Sequence, residues 1–244
     1  MSVTERLRQR GYDLPTAAKA LRALVRNPDD LPQVFTIIDA LSGATAGRLA
    51  ARLRRSRGGE AILERSHDLA RVLSDRQMLR ALPEGSLGRA YLAFVEAEGI
   101  SAEGLLEASA VGRTAMARNA DEDRVHAILR DSHDLWHAVT GYHGDVVGEI
   151  ALLAFSAAQT KNPAIAAIVV VALAKGLARG HLGLVLNGFL RGRGAAWLPA
   201  VDWAAILARP VEELRVELNV GAPRDYAPVR TEALREEGIL AKAA

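Results

Sequence analysis

Residues 121–139 read Asp-Glu-Asp-Arg-Val-His-Ala-Ile-Leu-Arg-Asp-Ser-His-Asp-Leu-Trp-His-Ala-Val. Val125, Ile128, Leu129, Ser132, Trp136 and Val139 fall three or four residues apart, the spacing of one face of an α-helix. Asp121 and Glu122 stand where the positive end of a helix dipole favours acids. The stretch is therefore a helix with a core-facing stripe. Outward from it the same period recurs. Leu87, Tyr91, Phe94 and Val95 share one stripe of a helix ending near Gly99. Trp203, Leu207, Val211, Leu214 and Leu218 hold helical spacing across Pro210, which lacks an amide proton and so predicts a break with a second segment opening there. Alternating apolar and polar residues are scarce, and no solenoid-length repeat is evident. The fold class read from this is all-α, a single helical domain over residues 1–244.

The 244 residues are ample to bury one large core. With 31 Lys and Arg against 29 Asp and Glu, the net charge is +2, so no whole-protein field draws nucleic acid. Cysteine is absent, which excludes disulfides, thiolate metal sites and a Cys nucleophile. Any metal must be held by His, Asp or Glu. The N-terminal segment Met1–Pro15 has no apolar signal region, and the most hydrophobic window, Ala164–Ala174, is short of the about 20 residues that span a bilayer. The simplest reading is a cytoplasmic protein, with contact at a membrane surface left open.

Chemistry concentrates in Ser132-His133-Asp134-Leu135-Trp136-His137 and the later Glu149. His133 and His137, four residues apart, put both imidazoles on one helix face, one turn apart. Asp134 lies ~100° round from His133 and can serve as a ligand or as a hydrogen-bond acceptor behind one. Gly141 and Gly144 permit a turn, Asp145 caps the next helix, and an antiparallel return brings Glu149 opposite the His pair. Two His and one or two carboxylates without sulfur suit a divalent ion with open positions, either Zn²⁺ or Fe²⁺. Ser66-His67-Asp68-Leu69 repeats the start of the motif but has Arg71 where a second His would stand, so His67 and Asp68 read as structural. His126 and His143 flank the cluster as weaker candidates, and His181 reads as a packed or interfacial histidine.

At these residues the sequence resembles a known family. His133-Asp134-x-x-His137, eleven residues and then Glu149 is similar to the signature of the coenzyme Q biosynthesis protein 4 family of the ubiquinone pathway. Leu82-Pro83-Glu84-Gly85-Ser86-Leu87-Gly88-Arg89 with Tyr91-Leu92 resembles its second hallmark. Gly148-Glu149-Ile150, Ala158-Gln159-Thr160 and the region from Asn27-Pro28 to Gly43 also match, so the likeness runs from about residue 25 to about 220. Residues 99–120 depart from the pattern. The resemblance implies a helical, homodimeric, peripheral membrane protein tied to C1 decarboxylation, coupled to hydroxylation, of a polyprenylated hydroxybenzoate, the precursor of the benzoquinone ring. It also implies organisation of other ubiquinone-biosynthesis enzymes, and metal ligands at His133, Asp134, His137 and Glu149, with zinc most expected and iron possible. Without a mitochondrial leader, the expected place is cytoplasmic, on the inner face of a bacterial membrane.

On that resemblance Tyr142 and His143 become candidate proton shuttles, and residues 163–190, with Gly176, Gly180, Gly183 and Gly188, become a candidate apolar groove for a lipid tail; the alternative is a core helix with a closely packed glycine-rich partner. Arg89 is placed either at a substrate carboxylate or in an ion pair with Glu84 or a helix end. Arg48, Arg52, Arg54, Arg55 and Arg57 form a basic segment, read as a solvated helix face or a contact for anionic headgroups. Two rivals remain. One is an HD-type phosphohydrolase, which would need His67 or His126 and Asp145 or Asp202 to face His133 and Asp134. The other is a non-catalytic lipid-binding scaffold with a structural metal.

Overall fold

Asn119 opens the longest of the described helices: its side chain accepts from the Glu122 amide at 2.9 Å while Glu122 returns a carboxylate to the Asn119 amide at 3.0 Å, a reciprocal cap. That helix runs Ala120–Thr140 and stops at Gly141, whose φ of 79° is left-handed backbone that glycine adopts without penalty. The structure, a computed structural model, describes residues 12–27, 29–66, 68–100, 102–112 and 119–240. Pro28 and His67 lie outside the described residues.

In chain order the helices are α1 Leu14–Arg26, α2 Leu31–Leu41, α3 Thr45–Arg55, α4 Gly59–Glu64, α5 Asp68–Ser74, α6 Arg76–Ala81, α7 Leu87–Glu98 and α8 Ala102–Val111. They continue as α9 Ala120–Thr140, α10 Val146–Thr160, α11 Pro163–Ala174, α12 Leu182–Gly194, α13 Trp203–Ile206, α14 Val211–Glu217 and α15 Thr231–Glu236. Among the described residues no strand occurs, and the domain is all-α, as the 3.6-residue period predicts. The main core joins α7, α9, α10 and the 198–220 region, with Leu87, Leu135, Val139, Phe155, Leu198 and Leu214 all buried. Each such side chain contributes about 1.5–3 kcal/mol by leaving water.

The break at Pro210 is present: α13 and α14 flank it, and Pro210 itself caps α14. The stretch Leu82–Arg89 docks there as a structural turn. The Leu87 and Gly88 amides donate to the carbonyls of Arg209 and Leu207, and the Val211 amide donates to that of Gly85. Ser86 caps α7, and Arg89 pairs with Glu84 at 3.5 Å and with the Arg80 carbonyl that ends α6. Arg89 thus takes the helix-end and Glu84 contacts of its two expected placements. In the basic segment, Arg54 binds Asp121 through two nitrogens and Arg52 lies over the Trp197 ring.

The stretch expected to line an apolar groove divides in two. α12 packs backbone to backbone on α10 through Gly188 and Gly192, and Gln159 ties the pair by donating to the Gly192 carbonyl and accepting from the Leu198 amide. Gly176, Gly180 and Gly183 have open space beside them, and Leu182, Leu186, Phe189 and Leu190 face outward along α12. Among the described residues no single helix is long and apolar enough to cross a membrane; α2 and α3 reach that length only together, bent by 81° at their junction.

An alanine methyl at position 192 would sit 2.4 Å from the Phe155 carbonyl oxygen and 2.9 Å from its Cα, backbone atoms that cannot turn aside. Gly192→Ala is therefore expected to cost about 1–3 kcal/mol and to lower the thermal unfolding midpoint by several degrees. Gly183→Ala, with open space and better helix propensity, is expected to hold or raise it.

Candidate metal centre

The turn between α9 and α10 sets the geometry. Gly141 ends α9, and Asp145, 1% exposed, caps α10 by accepting from the Val147 and Gly148 amides. The final carbonyls of α9 are held by two guanidinium groups. Arg215 donates to Ala138 and Val139, and Arg191 to Thr140, placing positive charge at the negative end of the helix dipole. With both helix ends held, α10 folds back and Glu149, one turn in, meets the two histidines.

His133, His137 and Glu149 each offer one ligand atom, and the three atoms lie within 4.8 Å of one another. His137 Nε2 is 3.0 Å from Glu149 Oε1, and His133 Nε2 is 3.8 Å from Oε2. The second nitrogen of each ring settles which proton it carries. His137 Nδ1 is 3.0 Å from the Tyr142 carbonyl oxygen, which can only accept, so Nδ1 bears the hydrogen. His133 Nδ1 lies 3.1 Å from Asp134 Oδ1 in the same relation. In the neutral rings both Nε2 lone pairs therefore face the Glu149 carboxylate. His137 Nε2 is buried 3.0 Å from that carboxylate and, without a hydrogen in this tautomer, makes no hydrogen bond to it. Three acceptor atoms converge on one point, a donor set that suits a divalent cation.

Burial by itself pulls the His133 proton affinity down, but the hydrogen bond to Asp134 and the charges of Glu149 and Asp134 outweigh it, raising the pKa from 6.5 to about 9. Burial likewise pushes Glu149 up, and the neighbouring His137 and His133 more than reverse it, lowering the pKa from 4.5 to about 2. Phe94 stacks on His137 with ring centroids 4.6 Å apart and 15° between planes, closing that side. The His133 and Glu149 side chains remain 30% and 39% exposed, so the group opens on their side.

The structure therefore brings together three of the four residues expected at the site. Asp134 stands behind His133, against Nδ1, outside the group of three converging atoms. Tyr142 is a core residue, 1% exposed, and reaches the site through its carbonyl. His143 is exposed at the turn and lies against Tyr226, with ring centroids 5.5 Å apart, and His181 also meets the Tyr226 ring, with centroids 6.5 Å apart. The acids a phosphohydrolase would need are engaged elsewhere: Asp145 as a helix cap and Asp202 with Arg65 at 2.8 Å. Phe94 reads as core from its stripe, and nothing local marks it as the lid on a histidine 43 positions later. Arg191, Arg215 and Tyr226 carry no sequence signal of their part, because their partners are carbonyls or a distant carboxylate.

The chain matches the family described as Coenzyme Q (ubiquinone) biosynthesis protein Coq4 over residues 14–224. It is 31% identical over 216 residues to the mitochondrial ubiquinone biosynthesis protein coq4 of Talaromyces stipitatus, covering 84% of this chain and 72% of that one. To the protein of the same name from Neosartorya fischeri it is 32% identical over 212 residues, covering 82% and 70%. A crystal structure of a Nostoc punctiforme protein named for ubiquinone biosynthesis aligns with a TM-score of 0.61 at 22% identity, over 86% of this chain and all of that one, a likeness of fold. The fungal relatives are mitochondrial, which does not agree with the expectation of a bacterial inner-membrane face.

The charged cluster has a definite pH signature. The raised His133 pKa contributes stability that is complete below pH 6.5 and is lost as pH rises towards about 9. The lowered Glu149 pKa contributes stability that is complete above pH 4.5 and is lost as pH falls towards about 2. Both groups are partly open to solvent, so each contribution is about 1 kcal/mol or less. The chelator-treated protein is thus expected to lose thermal stability between pH 6.5 and 9. Added divalent ion, which must displace the His133 proton, is expected to restore more at pH 9 than at pH 6 in a thermal melt.

Proposed function

Because the chain belongs to the Coq4 family of coenzyme Q (ubiquinone) biosynthesis proteins, we propose that it catalyses a divalent-ion-dependent step of that pathway: removal of the C1 carboxyl of a polyprenylated hydroxybenzoate as CO₂, coupled to hydroxylation at C1, one atom of dioxygen entering the ring and the other leaving as water with two electrons from an external reductant. The observation that carries this reading is the pair of imidazole lone pairs directed, with Glu149, at one point. His133, His137 and Glu149 would hold the ion. Asp134 fixes the tautomer of His133 as the Tyr142 carbonyl fixes that of His137, and its carboxylate stands next to the group as a fourth candidate ligand. A bound ion would supply Lewis acidity to a substrate carboxylate or phenolic oxygen, and zinc or iron both suit the donor set.

The chain's own groups then divide the task. Phe94 and the core behind His137 exclude water from one side of the site. The open side, at His133 and Glu149, is where an aromatic acid would enter, and His143 at the adjacent turn is placed to exchange protons with solvent. The exposed stripe Leu182, Leu186, Phe189 and Leu190 is an apolar surface suited to a bilayer or to a second copy of the chain, in keeping with a peripheral, dimeric protein that gathers other enzymes of the pathway. A scaffold with a purely structural ion would favour a closed set of ligands, and the solvent-open side of this group favours catalysis.

His133→Ala is expected to abolish ion binding, read by element-resolved mass spectrometry of the purified variant, and to stop ubiquinone formation in cells that depend on it. Full ion occupancy in that variant would remove His133 from the ligands. Wild-type protein supplied with the ion, dioxygen, a two-electron reductant and a prenylated hydroxybenzoate is expected to release CO₂ without other pathway proteins. Failure with zinc and with iron alike would favour the scaffold.

A further inference from the structure

The extended segment after α14, residues 221–230, crosses the turn that joins the two ligand-bearing helices. Pro223 packs on Gly141, where a Cβ would come within 2.5 Å of the proline ring. The Tyr226 hydroxyl donates to Asp145 Oδ2 at 2.7 Å and accepts from the His143 amide at 3.0 Å. The Val146 amide donates to the Val229 carbonyl at 3.0 Å, and the Val229 amide returns to Asp145 Oδ1 at 2.9 Å. Arg230 binds Glu98, whose carboxylate also accepts from the Gly144 amide. Gly148 is pinned beneath: a Cβ there would stand 2.4 Å from the Tyr226 oxygen.

We infer that this strap belongs to the ion-holding apparatus, with Tyr226 a positioning residue that acts on Glu149 through the Asp145 cap. The inference rests on the metal reading given above. Asp145 is buried and receives the Tyr226 hydroxyl and three amides on its two oxygens, while its own carbonyl accepts the Glu149 amide at 2.8 Å. Loss of the phenol leaves one oxygen of a buried carboxylate without its donor, and the first turn of α10 relaxes with it. Glu149 is in that turn. The same phenol accepts the His143 amide, which fixes the strap to the turn that leads into α10. Burial and the Asp145 charge push the Tyr226 pKa up, which keeps the hydroxyl a donor across the working range. Residues 225–230 lie just past the stretch that matches the family, 14–224.

The test uses the full chain and Zn²⁺ alone, titrated against a chromophoric chelator. Tyr226→Phe is expected to weaken Zn²⁺ binding by about tenfold or more, the usual effect of removing a partner one layer behind the ligands. Ile37→Ala, which opens a hole in the separate cluster of α1, α2 and α11, is expected to lower the unfolding midpoint while leaving Zn²⁺ affinity within twofold. In a Glu149→Gln background the Tyr226→Phe effect is expected to shrink to less than threefold, since its route is already cut. Wild-type binding with Tyr226→Phe within twofold of it would overturn the strap inference alone. A full tenfold loss persisting beside Glu149→Gln would overturn the route through Glu149. A wild-type chain that takes up no Zn²⁺ would overturn the metal reading and the inference with it.

Discussion

Two imidazole lone pairs and a carboxylate directed at one another form an arrangement that electrostatics resists unless positive charge lies among them. Each ring is denied the escape of turning its N–H inward, because Asp134 and the Tyr142 carbonyl already take the Nδ1 hydrogens. In the absence of an ion, a proton must fill the role, and the raised His133 and lowered Glu149 affinities record that demand. The rest of the structure reads as the means of holding three mutually unfavourable acceptors in place.

Those means lie in the helix ends. Asn119 and Glu122 start α9, two arginines bind its last carbonyls, and Asp145 starts α10. Gly188 and Gly192 bring α12 against α10 so closely that the Glu149 helix has a rigid back, and Gln159 fastens the pair at its far end. Phe94 presses on His137 from α7, itself anchored by the Leu82–Arg89 turn to the break at Pro210. The two motifs that resemble the family thus perform different tasks: one carries the donor atoms, and the other fixes the helix that covers them.

Much of this was legible because its causes are local. Helical spacing, the glycines at 99 and 141, the caps at Ser86 and Asp145 and the opposition of Glu149 to the His pair follow from residues within a few turns of one another. What stayed hidden depends on distant pairs. The stacking of Phe94 on His137, the grip of Arg191 and Arg215 on carbonyls about fifty and seventy-six positions away, and the strap through Tyr226 have no periodic signature. The stretch 163–190 divided against expectation because glycine spacing alone does not tell a close helix contact from open space. Asp134 shows the same limit at shorter range: adjacency to His133 allowed it to be a ligand or a support, and the side-chain rotamer places it at Nδ1.

The central claim is a location, so the most direct measurement is positional. Crystals of the wild-type protein grown with Zn²⁺ and recorded on both sides of the zinc absorption edge should show an anomalous peak about 2.0–2.2 Å from Nε2 of His133, Nε2 of His137 and a Glu149 carboxylate oxygen. A zinc peak held elsewhere, with these three side chains still facing one another across an empty gap, would contradict the account.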